Sequence, residues 1–374
     1  MISLSTPSLS GNEESYVSEA IKTEWVSTAG PYVDRFSAAF VDWLGGDGFA
    51  VPCASGTAAL HLSLLSVGVK PGDDVLVSSL TFVATANAIA YCGANPIFID
   101  SEKESANLDP NLVVKLLHER AKENRLPSAI VPVHLYGHPV DMQPILDVAE
   151  YYGVPVIEDA AESLGATYDN RPVGTLGRTG VFSFNGNKIM TCGGGGMVFT
   201  RDERIAEQIR HLSTQSRLPG VAYVHDQIGF NYRMTSLAAA VGLAQIEQLD
   251  SFVEKRRSIA NRYAAAFSGV DGLEVVVEPK WGKSSYWLST VSVNENKVGC
   301  SRDRLIELLG QSKIESRPFW FPLHRQPAYK GSEFIGSGVS DMLFETGLCL
   351  PSSAHLTERQ QGMVIDTVVS SLSA

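Results

Sequence analysis

Short apolar runs alternate with longer helix-forming segments through the first half of the chain, and this alternation restricts the folds available to it. Strands are predicted at residues 49–53, 75–79, 96–100, 129–135, 154–157, 181–184 and 197–200. Helices are predicted at residues 84–92, 110–124, 144–151, 203–213, 237–250 and 253–267. Strands and helices that alternate at these lengths predict a mostly parallel sheet covered by helices on both faces.

The composition changes at residues 269–272, a Gly-Val-Asp-Gly stretch that indicates a hinge. Beyond it we predict strands at residues 273–277 and 286–293, a helix at 302–312 and a last helix from Glu358 onward. The prediction is an α/β protein with a large domain over residues 1–250, which includes an N-terminal arm, and a smaller C-terminal α+β domain over residues 251–374.

Charge and hydropathy exclude several classes of function. A formal net charge of −11 leaves no basic surface for nucleic acid. No apolar stretch approaches the roughly 20 residues of a membrane-spanning helix, and the polar start, with Glu13 and Glu14, predicts no signal peptide. The five cysteines are scattered and lack metal-site spacing, which is typical of reduced thiols in a cytoplasmic protein.

One lysine and one aspartate form a chemically specific pair. Lys188 ends the stretch Ser183-Phe184-Asn185-Gly186-Asn187-Lys188, and Asp159 ends an apolar strand where a ligand cleft of an α/β sheet lies. An amine that can form an imine and a carboxylate that can pair with a protonated pyridine nitrogen are what a pyridoxal 5'-phosphate (PLP) enzyme supplies. Taken singly, Lys188 is typical of a surface charge and Asp159 of a helix cap.

Further motifs are open to two interpretations each. Ser55, Gly56 and Thr57 lie between a strand and a helix, where amides and hydroxyls can hold a phosphate, or where serine simply caps the helix. The four glycines 193–196 predict a tight turn near the lysine and not a phosphate loop. His134 and His138 could bind a metal, but no third ligand is evident, and we predict no metal site.

Five segments in order, spread over nearly the whole chain, resemble the DegT/DnrJ/EryC1/StrS sugar-nucleotide aminotransferases, which have the aspartate aminotransferase fold (PLP fold type I). The segments are residues 55–60, 158–162, 183–188, 229–234 and 317–324. The resemblance implies that Lys188 forms the imine with PLP and that Asp159 pairs with the pyridine nitrogen.

The same resemblance implies the remaining cofactor contacts. They are Phe82 on the ring face, Gly56, Thr57 and Ser183 at the phosphate, and Asn231 reaching the phosphate from the other subunit of a homodimer with shared active sites. Many relatives have Gln or His where this chain has Glu162, so its predicted contact is with either the cofactor 3′-oxygen or the sugar.

Substrate contacts are also implied, although alone these segments are typical of a connector and of ordinary packing. The predicted residues are Trp25 and Thr28, from the partner chain, and Asn185, Arg317, Trp320, His324 and Tyr329. Residues 213–215 and 287–290 are most similar to enzymes that aminate UDP-4-keto-6-deoxy-N-acetylglucosamine in the bacillosamine and legionaminate pathways.

The implied reaction is a ping-pong transamination for surface glycan biosynthesis. L-Glutamate would convert PLP into pyridoxamine 5'-phosphate, which would then aminate C4 of the keto sugar. The alternatives within the family are a GDP-perosamine synthase, a dTDP-sugar aminotransferase and a sugar dehydratase, whose members have His in place of the lysine. A non-catalytic PLP-binding regulator is a fourth alternative.

Overall fold

The structure, a computed structural model, describes residues 1–372. Its α-helices are α1 (Glu13–Lys22), α2 (Pro31–Trp43), α3 (Gly56–Ser66), α4 (Ala84–Tyr91), α5 (Pro110–Lys122), α6 (Gln143–Tyr152), α7 (Glu203–Ser213), α8 (Ser236–Ile246), α9 (Leu249–Phe267), α10 (Glu295–Val298), α11 (Arg302–Gln311), α12 (Val339–Thr346) and α13 (Glu358–Leu372). Its strands are β1 (Phe49–Cys53), β2 (Asp74–Ser78), β3 (Asn95–Ile99), β4 (Ala129–Val131), β5 (Ile157–Asp159), β6 (Thr167–Tyr168), β7 (Arg171–Pro172), β8 (Thr179–Ser183), β9 (Gly196–Thr200), β10 (Leu273–Val275), β11 (Gly282–Lys283), β12 (Ser289–Val293), β13 (Arg317–Pro318), β14 (Phe334–Ile335) and β15 (Gly347–Leu350).

The large sheet is mostly parallel, as predicted. Two four-stranded segments, β1-β9-β8-β5 and β14-β3-β2-β4, are joined by parallel bridges from Ile130 to Val156 and from Val133 to Asp159. Strand β9 alone among these runs antiparallel to its neighbours β1 and β8. The carboxyl ends of the parallel strands therefore meet at one edge of the sheet, where α/β proteins bind their ligands.

The strands of this sheet are apolar on both faces because helices cover both. In β2 the side chain of Leu76 packs into the core on one face, while Val75 and Val77 pack into the core on the other. All three are fully buried. Such continuous burial explains why the strands read as unbroken apolar runs in the sequence.

A second, antiparallel sheet forms the C-terminal part of the molecule, in the order β10-β12-β15-β13. Its own apolar core includes Tyr263 and Phe267 of α9, Leu305 of α11 and Val364 of α13. This α+β arrangement beside a mostly parallel sheet confirms the predicted fold class. The boundary at residue 250 stays a prediction.

The C-terminal segment also returns to the large sheet. Strand β14 pairs in parallel with β3, and the carboxylate of Asp100, just after β3, accepts hydrogen bonds from the backbone at the start of α12. Residues 334–340 are therefore fastened to the large sheet although they lie in the predicted C-terminal domain.

Several elements were not predicted from the sequence. Residues Gly30 and Pro31 predict a break in the chain, but Gly30 precedes helix α2 and Pro31 is its first residue, where the missing N–H of proline is harmless. Strand β5 begins at Ile157 and ends at Asp159, not at residues 154–157. Helix α12 and strands β14 and β15 were also missed. No helix within residues 1–372 is long and apolar enough to cross a membrane.

Candidate active site

A cavity of about 280 Å³ lies at the carboxyl ends of β1, β2, β5 and β8. Its walls contain nine of the residues predicted for the site: Gly56, Thr57, Phe82, Asp159, Glu162, Ser183, Asn185, Lys188 and Trp320. The strand order explains why residues so distant in sequence meet, since every parallel strand delivers its last residue to the same edge of the sheet.

The N-terminus of α3 forms one wall of the cavity. Ser55 caps the helix, its Oγ accepting a hydrogen bond from the Ala58 N–H at 3.1 Å. A Cβ at Gly56 would lie 2.9 Å from the Ser183 Cβ, so only glycine lets the helix approach β8 this closely. Backbone amides at a helix start, with Thr57 and Ser183 beside them, make a setting suited to a phosphate.

Lys188 is held in a turn that follows β8. Its N–H donates to the Asn185 carbonyl at 3.0 Å, and the side chain is largely buried, with 12% exposed. The amine Nζ lies 3.9 Å from the centre of the Trp287 ring and 3.6 Å from Glu162 Oε1. The lysine amine therefore faces the cavity between an aromatic ring and a carboxyl group.

Helix α2 packs against the residues that lead into this turn. Phe36 and Phe40 pack edge-on against the Phe184 ring, with ring centres 5.4 Å and 5.8 Å apart. The Phe184 N–H donates to the Gly195 carbonyl, and the Phe184 carbonyl accepts from the Cys192 N–H. The glycine turn at residues 193–196 thus braces the lysine turn, as the tight-turn prediction requires.

Asp159 is almost completely buried at the end of β5. Its Oδ2 accepts a hydrogen bond from the Thr85 hydroxyl at 2.7 Å, and its Oδ1 accepts from the Ala161 N–H at 3.1 Å. Burial raises the pKa of Asp159, while Thr85, the Ala161 amide and the Lys188 charge oppose that shift. A nearby cation such as a pyridinium would favour the ionised form.

Glu162 lies across the cavity from Asp159 and is also buried. Its Oε2 accepts from the Tyr136 N–H at 2.9 Å, whereas its buried Oε1 accepts no hydrogen bond. Burial raises the pKa of Glu162, with the Lys188 charge opposing the shift. That oxygen faces the Lys188 amine at 3.6 Å, so Glu162 supplies a negative charge beside the lysine.

Aromatic side chains close the cavity. Trp287 precedes β12 and Trp320 follows β13, so both come from the C-terminal part of the chain. The Phe82 ring lies 5.2 Å from the Trp320 ring and is 48% exposed. Phe82 therefore presents an open aromatic face, as a residue that stacks on a planar cofactor needs to.

Three residues predicted to act from a partner subunit do not line this cavity. Trp25 is 48% exposed, Asn231 is also exposed, and Thr28 is half-buried. Residues 25–28 approach the start of α8, where the Ser236 N–H donates to the Ser27 carbonyl. Their predicted roles concern a second copy of the chain and stay predictions.

Three further predicted substrate residues also lie outside the cavity wall. Arg317 lines a smaller adjoining cavity of about 80 Å³ and pairs with Glu315 at 2.9 Å. His324 lies 2.7 Å from Ser79 Oγ and stacks on Phe334, while the Tyr329 hydroxyl donates to Asn87 Oδ1 at 2.5 Å. His324 and Tyr329 thus fasten the C-terminal segment to the large domain.

The two histidines considered as metal ligands have protein partners. His134 Nε2 lies 3.0 Å from Glu158 Oε2, and its Nδ1 accepts from the Val140 N–H. His138 Nδ1 lies 2.7 Å from Ser284 Oγ, and burial lowers its pKa to about 4. Among the described residues, no group of three or more His, Cys, Asp or Glu is arranged to hold a metal ion.

Comparison with known proteins decides what this arrangement is. Residues 7–369 match the model of the DegT/DnrJ/EryC1/StrS aminotransferase family. The chain belongs to that family. It is 44% identical over 372 residues to EpsN of Bacillus subtilis, named as a pyridoxal phosphate-dependent aminotransferase, with 98% of this chain and 95% of EpsN covered.

Two other relatives support the assignment of this aminotransferase. A GDP-perosamine synthase of Caulobacter vibrioides is 40% identical over 374 residues, which cover 99% of this chain and 97% of that one. A DegT DnrJ EryC1 StrS aminotransferase from Brucella abortus has the same fold, with a TM-score of 0.90 and 32% identity over 97% of this chain and 96% of the other. The chain is a PLP-dependent aminotransferase of fold type I.

The residues of this aminotransferase fit the cofactor. The start of α3 offers amides to a phosphate, Asp159 has capacity for a further partner, and Lys188 faces the space between them. Thr85, Tyr136 and Trp287, which contact these groups, were not predicted as site residues. The one sequence signal for Thr85 is its position at a helix start, three residues after Phe82. Its contact with Asp159 could not be predicted from local sequence, because the two residues are 74 positions apart.

Proposed function

We propose that this aminotransferase moves the amino group of L-glutamate to C4 of a nucleotide-linked 4-keto-6-deoxy sugar, UDP-4-keto-6-deoxy-N-acetylglucosamine, for surface glycan biosynthesis. The observation that carries the reaction type is the meeting of Lys188 and Asp159 in one cavity walled by aromatic rings. Family membership supports the class of substrate.

Each residue of the site has a task in this reaction. PLP, when bound, supplies a ring that accepts the electrons of the bond broken at the substrate carbon. Asp159 holds the positive charge of the ring nitrogen. Lys188 Nζ would take the proton that leaves Cα of the amino donor and pass it to the cofactor. In the second half-reaction it would take a proton back from the cofactor and deliver it to C4 of the sugar. Trp287 and Trp320 restrict water around Lys188.

The choice of the UDP sugar rests on cavity size and on sequence similarity. Asn185 lines the cavity, at a position where GDP-perosamine synthases usually have an aromatic residue. The smaller side chain leaves more room beside Lys188, which suits a sugar with an acetamido group. Trp287, in the segment most similar to the UDP-sugar enzymes, lines the same cavity.

A GDP-linked sugar is the second candidate, because the Caulobacter vibrioides relative that is 40% identical is named a GDP-perosamine synthase. The two candidates differ in the nucleotide and in the substituent at C2 of the sugar. A direct comparison of substrates therefore separates them.

The substrate test uses the PLP-loaded protein and isotopically labelled L-glutamate. We expect glutamate alone to convert the cofactor absorbance from the aldehyde form to the amine form. We then expect the label to enter a UDP-linked 4-keto sugar faster than the GDP- or dTDP-linked ones. Faster labelling of the GDP sugar supports the second candidate, and no conversion by glutamate supports a non-catalytic regulator.

Two Lys188 variants test the proton-transfer role and the dehydratase alternative. Lys188→Ala and Lys188→Arg remove the amine that transfers the proton, so we expect turnover to fall by about a thousand-fold or more. Turnover near wild type in either variant contradicts the role. In the substrate test with the wild-type protein, a product that lacks the sugar 3-hydroxyl and carries no label supports a dehydratase.

The proposed active site is shared between two copies of the chain, with Trp25, Thr28 and Asn231 acting on the partner's cavity. All three residues lie outside the cavity of their own chain, and Trp25 and Asn231 are exposed, which supports this arrangement. Lys188→Ala and Asn231→Ala proteins, each of low activity alone, should regain activity when they are mixed and allowed to exchange subunits.

The amount of activity regained follows from symmetry. Half of the dimers become mixed, and each mixed dimer has one site with both native residues, so recovery should approach about a quarter of wild type. No recovery, in a mixture shown by mass spectrometry to contain mixed dimers, means that Asn231 acts within its own chain. A monomer in light scattering contradicts the shared site altogether.

A further inference from the structure

Within residues 1–372, the carboxylate of Asp159 has one side-chain hydrogen-bond partner, Thr85. The Thr85 hydroxyl donates to Asp159 Oδ2 at 2.7 Å, and both side chains are buried, with 2% and 3% exposed. The other oxygen of Asp159 accepts only the Ala161 N–H, at 3.1 Å. A charge-assisted O–H···O⁻ bond of this length, shielded from water, is among the stronger hydrogen bonds in proteins.

The proton of Thr85 has one competing acceptor. The Phe82 carbonyl lies 3.4 Å from Thr85 Oγ1, at the outer limit for a hydrogen bond, whereas Asp159 Oδ2 is 0.7 Å closer (3.4 minus 2.7). A hydroxyl carries one proton, so the proton goes to the carboxylate. Thr85 therefore links the first turn of α4, which follows Phe82, to the end of β5.

We propose that Thr85 is a positioning residue for Asp159: its hydroxyl keeps the buried carboxylate charged and fixes the direction in which it faces the cavity. This inference rests on the proposed function, in which Asp159 holds the charge of the cofactor ring nitrogen. Thr85 itself does not touch the reacting atoms. It acts through Asp159, against the burial that favours the neutral acid.

The test compares Thr85→Val, which has the same shape without the hydroxyl, with Thr85→Ser, which keeps the hydroxyl. The measurements are the dissociation constant for PLP, the absorbance spectrum of the bound cofactor and the rate of the glutamate half-reaction. We expect Thr85→Val to bind PLP roughly 10-fold more weakly, since the lost bond is to a charged group. Thr85→Ser should stay within about threefold of wild type.

Thr179→Val is the matched control. Thr179 is also buried in the large sheet, but its hydroxyl has no hydrogen-bond partner among the described residues, so the same change removes a hydroxyl without breaking a bond. We expect its PLP affinity, spectrum and half-reaction rate to equal those of wild type. If Thr179→Val weakens PLP binding as much as Thr85→Val, the effect is general to the core and the proposal is overturned.

The remaining outcomes also decide the matter. If Thr85→Val does not fold, Thr85→Ala against Thr85→Ser gives the same comparison. Wild-type affinity and spectrum in the variants that lack the hydroxyl overturn the proposal for Thr85 and leave the proposed function intact. A wild-type protein that binds PLP but never reacts with glutamate overturns the proposed function, while the comparison of PLP affinities still tests Thr85.

Discussion

Asp100 and Asp159 stand at the carboxyl ends of two strands of the same sheet, and both are buried, yet their surroundings are opposite. The carboxylate of Asp100 accepts six hydrogen bonds, from the N–H groups of residues 101 and 337–340 and from the Ser340 hydroxyl. The carboxylate of Asp159 accepts two. One carboxylate is fully paired within the chain, and the other keeps capacity for a partner that the chain does not supply.

The pKa values of the two acids differ accordingly. Burial alone would raise the pKa of Asp100, but the hydrogen bonds from Ser340, Val339 and Ser101 outweigh burial and lower it. Burial raises the pKa of Asp159, and its two hydrogen bonds do not reverse the shift. Asp100 therefore stabilises the fold in its ionised form, whereas a cation beside Asp159 would favour the ionised form of that acid.

A second pair of acids repeats the contrast four residues apart. Glu158 accepts the N–H groups of Gly174, Leu176 and Gly177 and faces His134 at 3.0 Å. Among the described residues, Glu162 accepts one hydrogen bond, on Oε2, and its Oε1 faces the Lys188 amine at 3.6 Å without a hydrogen bond. Buried acids in this sheet thus divide into saturated structural ones and unsaturated ones that line the cavity.

Asp159→Asn should show the largest effect on activity. The neutral amide cannot hold the charge of the cofactor ring, so we expect the glutamate half-reaction to slow about 1000-fold, which corresponds to about 4 kcal/mol. Because Asn removes a buried, incompletely paired charge, thermal unfolding without cofactor should occur at the same or a higher temperature. An Asp159→Asn variant that reacts at nearly the wild-type rate would contradict the functional difference between Asp159 and Asp100.

Asp100→Asn should show the reverse pattern. The Asn amide would face the backbone N–H groups of residues 337–340 with a donor where an acceptor is needed, so we expect a loss of about 3 kcal/mol in the free energy of unfolding. The glutamate half-reaction per folded molecule should stay close to wild type. Thermal unfolding at fixed protein concentration and a half-reaction assay measure both; wild-type stability contradicts the structural role.

The stabilisation by Asp100 should depend on pH in a known direction. Folding lowers the pKa of Asp100 below its ordinary value of 3.8, so the stabilisation is present above that pH and is lost as the pH falls through the folded value. The difference in unfolding temperature between wild type and Asp100→Asn should therefore be constant from about pH 7 to about pH 5 and shrink below about pH 4. A difference in unfolding temperature that grows as the pH falls would contradict the lowered pKa of Asp100.

Glu162→Gln should have the smallest effect. Gln keeps an oxygen for the Tyr136 N–H and removes a buried charge whose pKa burial raises. We expect a change in the half-reaction rate of less than about 10-fold. The unfolding temperature should fall less than in the control, because Gln keeps the Tyr136 hydrogen bond and loses only the charge that faces Lys188 at 3.6 Å. The control is Glu158→Gln, which removes a saturated acid and should lower the unfolding temperature. Equal effects of the two variants would mean that the saturation of a buried acid does not predict its role.

The sequence alone was sufficient to predict the features that depend on short-range sequence patterns. The apolar strands, the glycine turn at residues 193–196, and Lys188 and Asp159 all have a signal within a few neighbouring residues. Helix α2 was missed because Gly30 and Pro31 are read equally well as a break and as a helix start. Strand β14 was missed because its two residues form a strand only by pairing with β3.

Prediction of the site from the sequence is limited in the same way, because it also depends on contacts between distant residues. Gly56, Thr57 and Ser183 could be placed in the cavity from motifs, but the role of Asp100 depends on residues more than 230 positions away. His324 ends a motif segment and Tyr329 lies five residues beyond it, yet the side chains of both residues pack on the large domain. Which carboxylate is saturated depends on tertiary contacts, and no spacing within the sequence encodes it.

Borohydride reduction locates the amine that carries the cofactor. The PLP-loaded protein is reduced, digested and analysed by peptide mass spectrometry. The structure predicts that the pyridoxyl group is on Lys188 and that prior incubation with L-glutamate prevents the labelling. Labelling of another lysine, or none after reconstitution, contradicts the claim that the cavity between Lys188 and Asp159 is the active site.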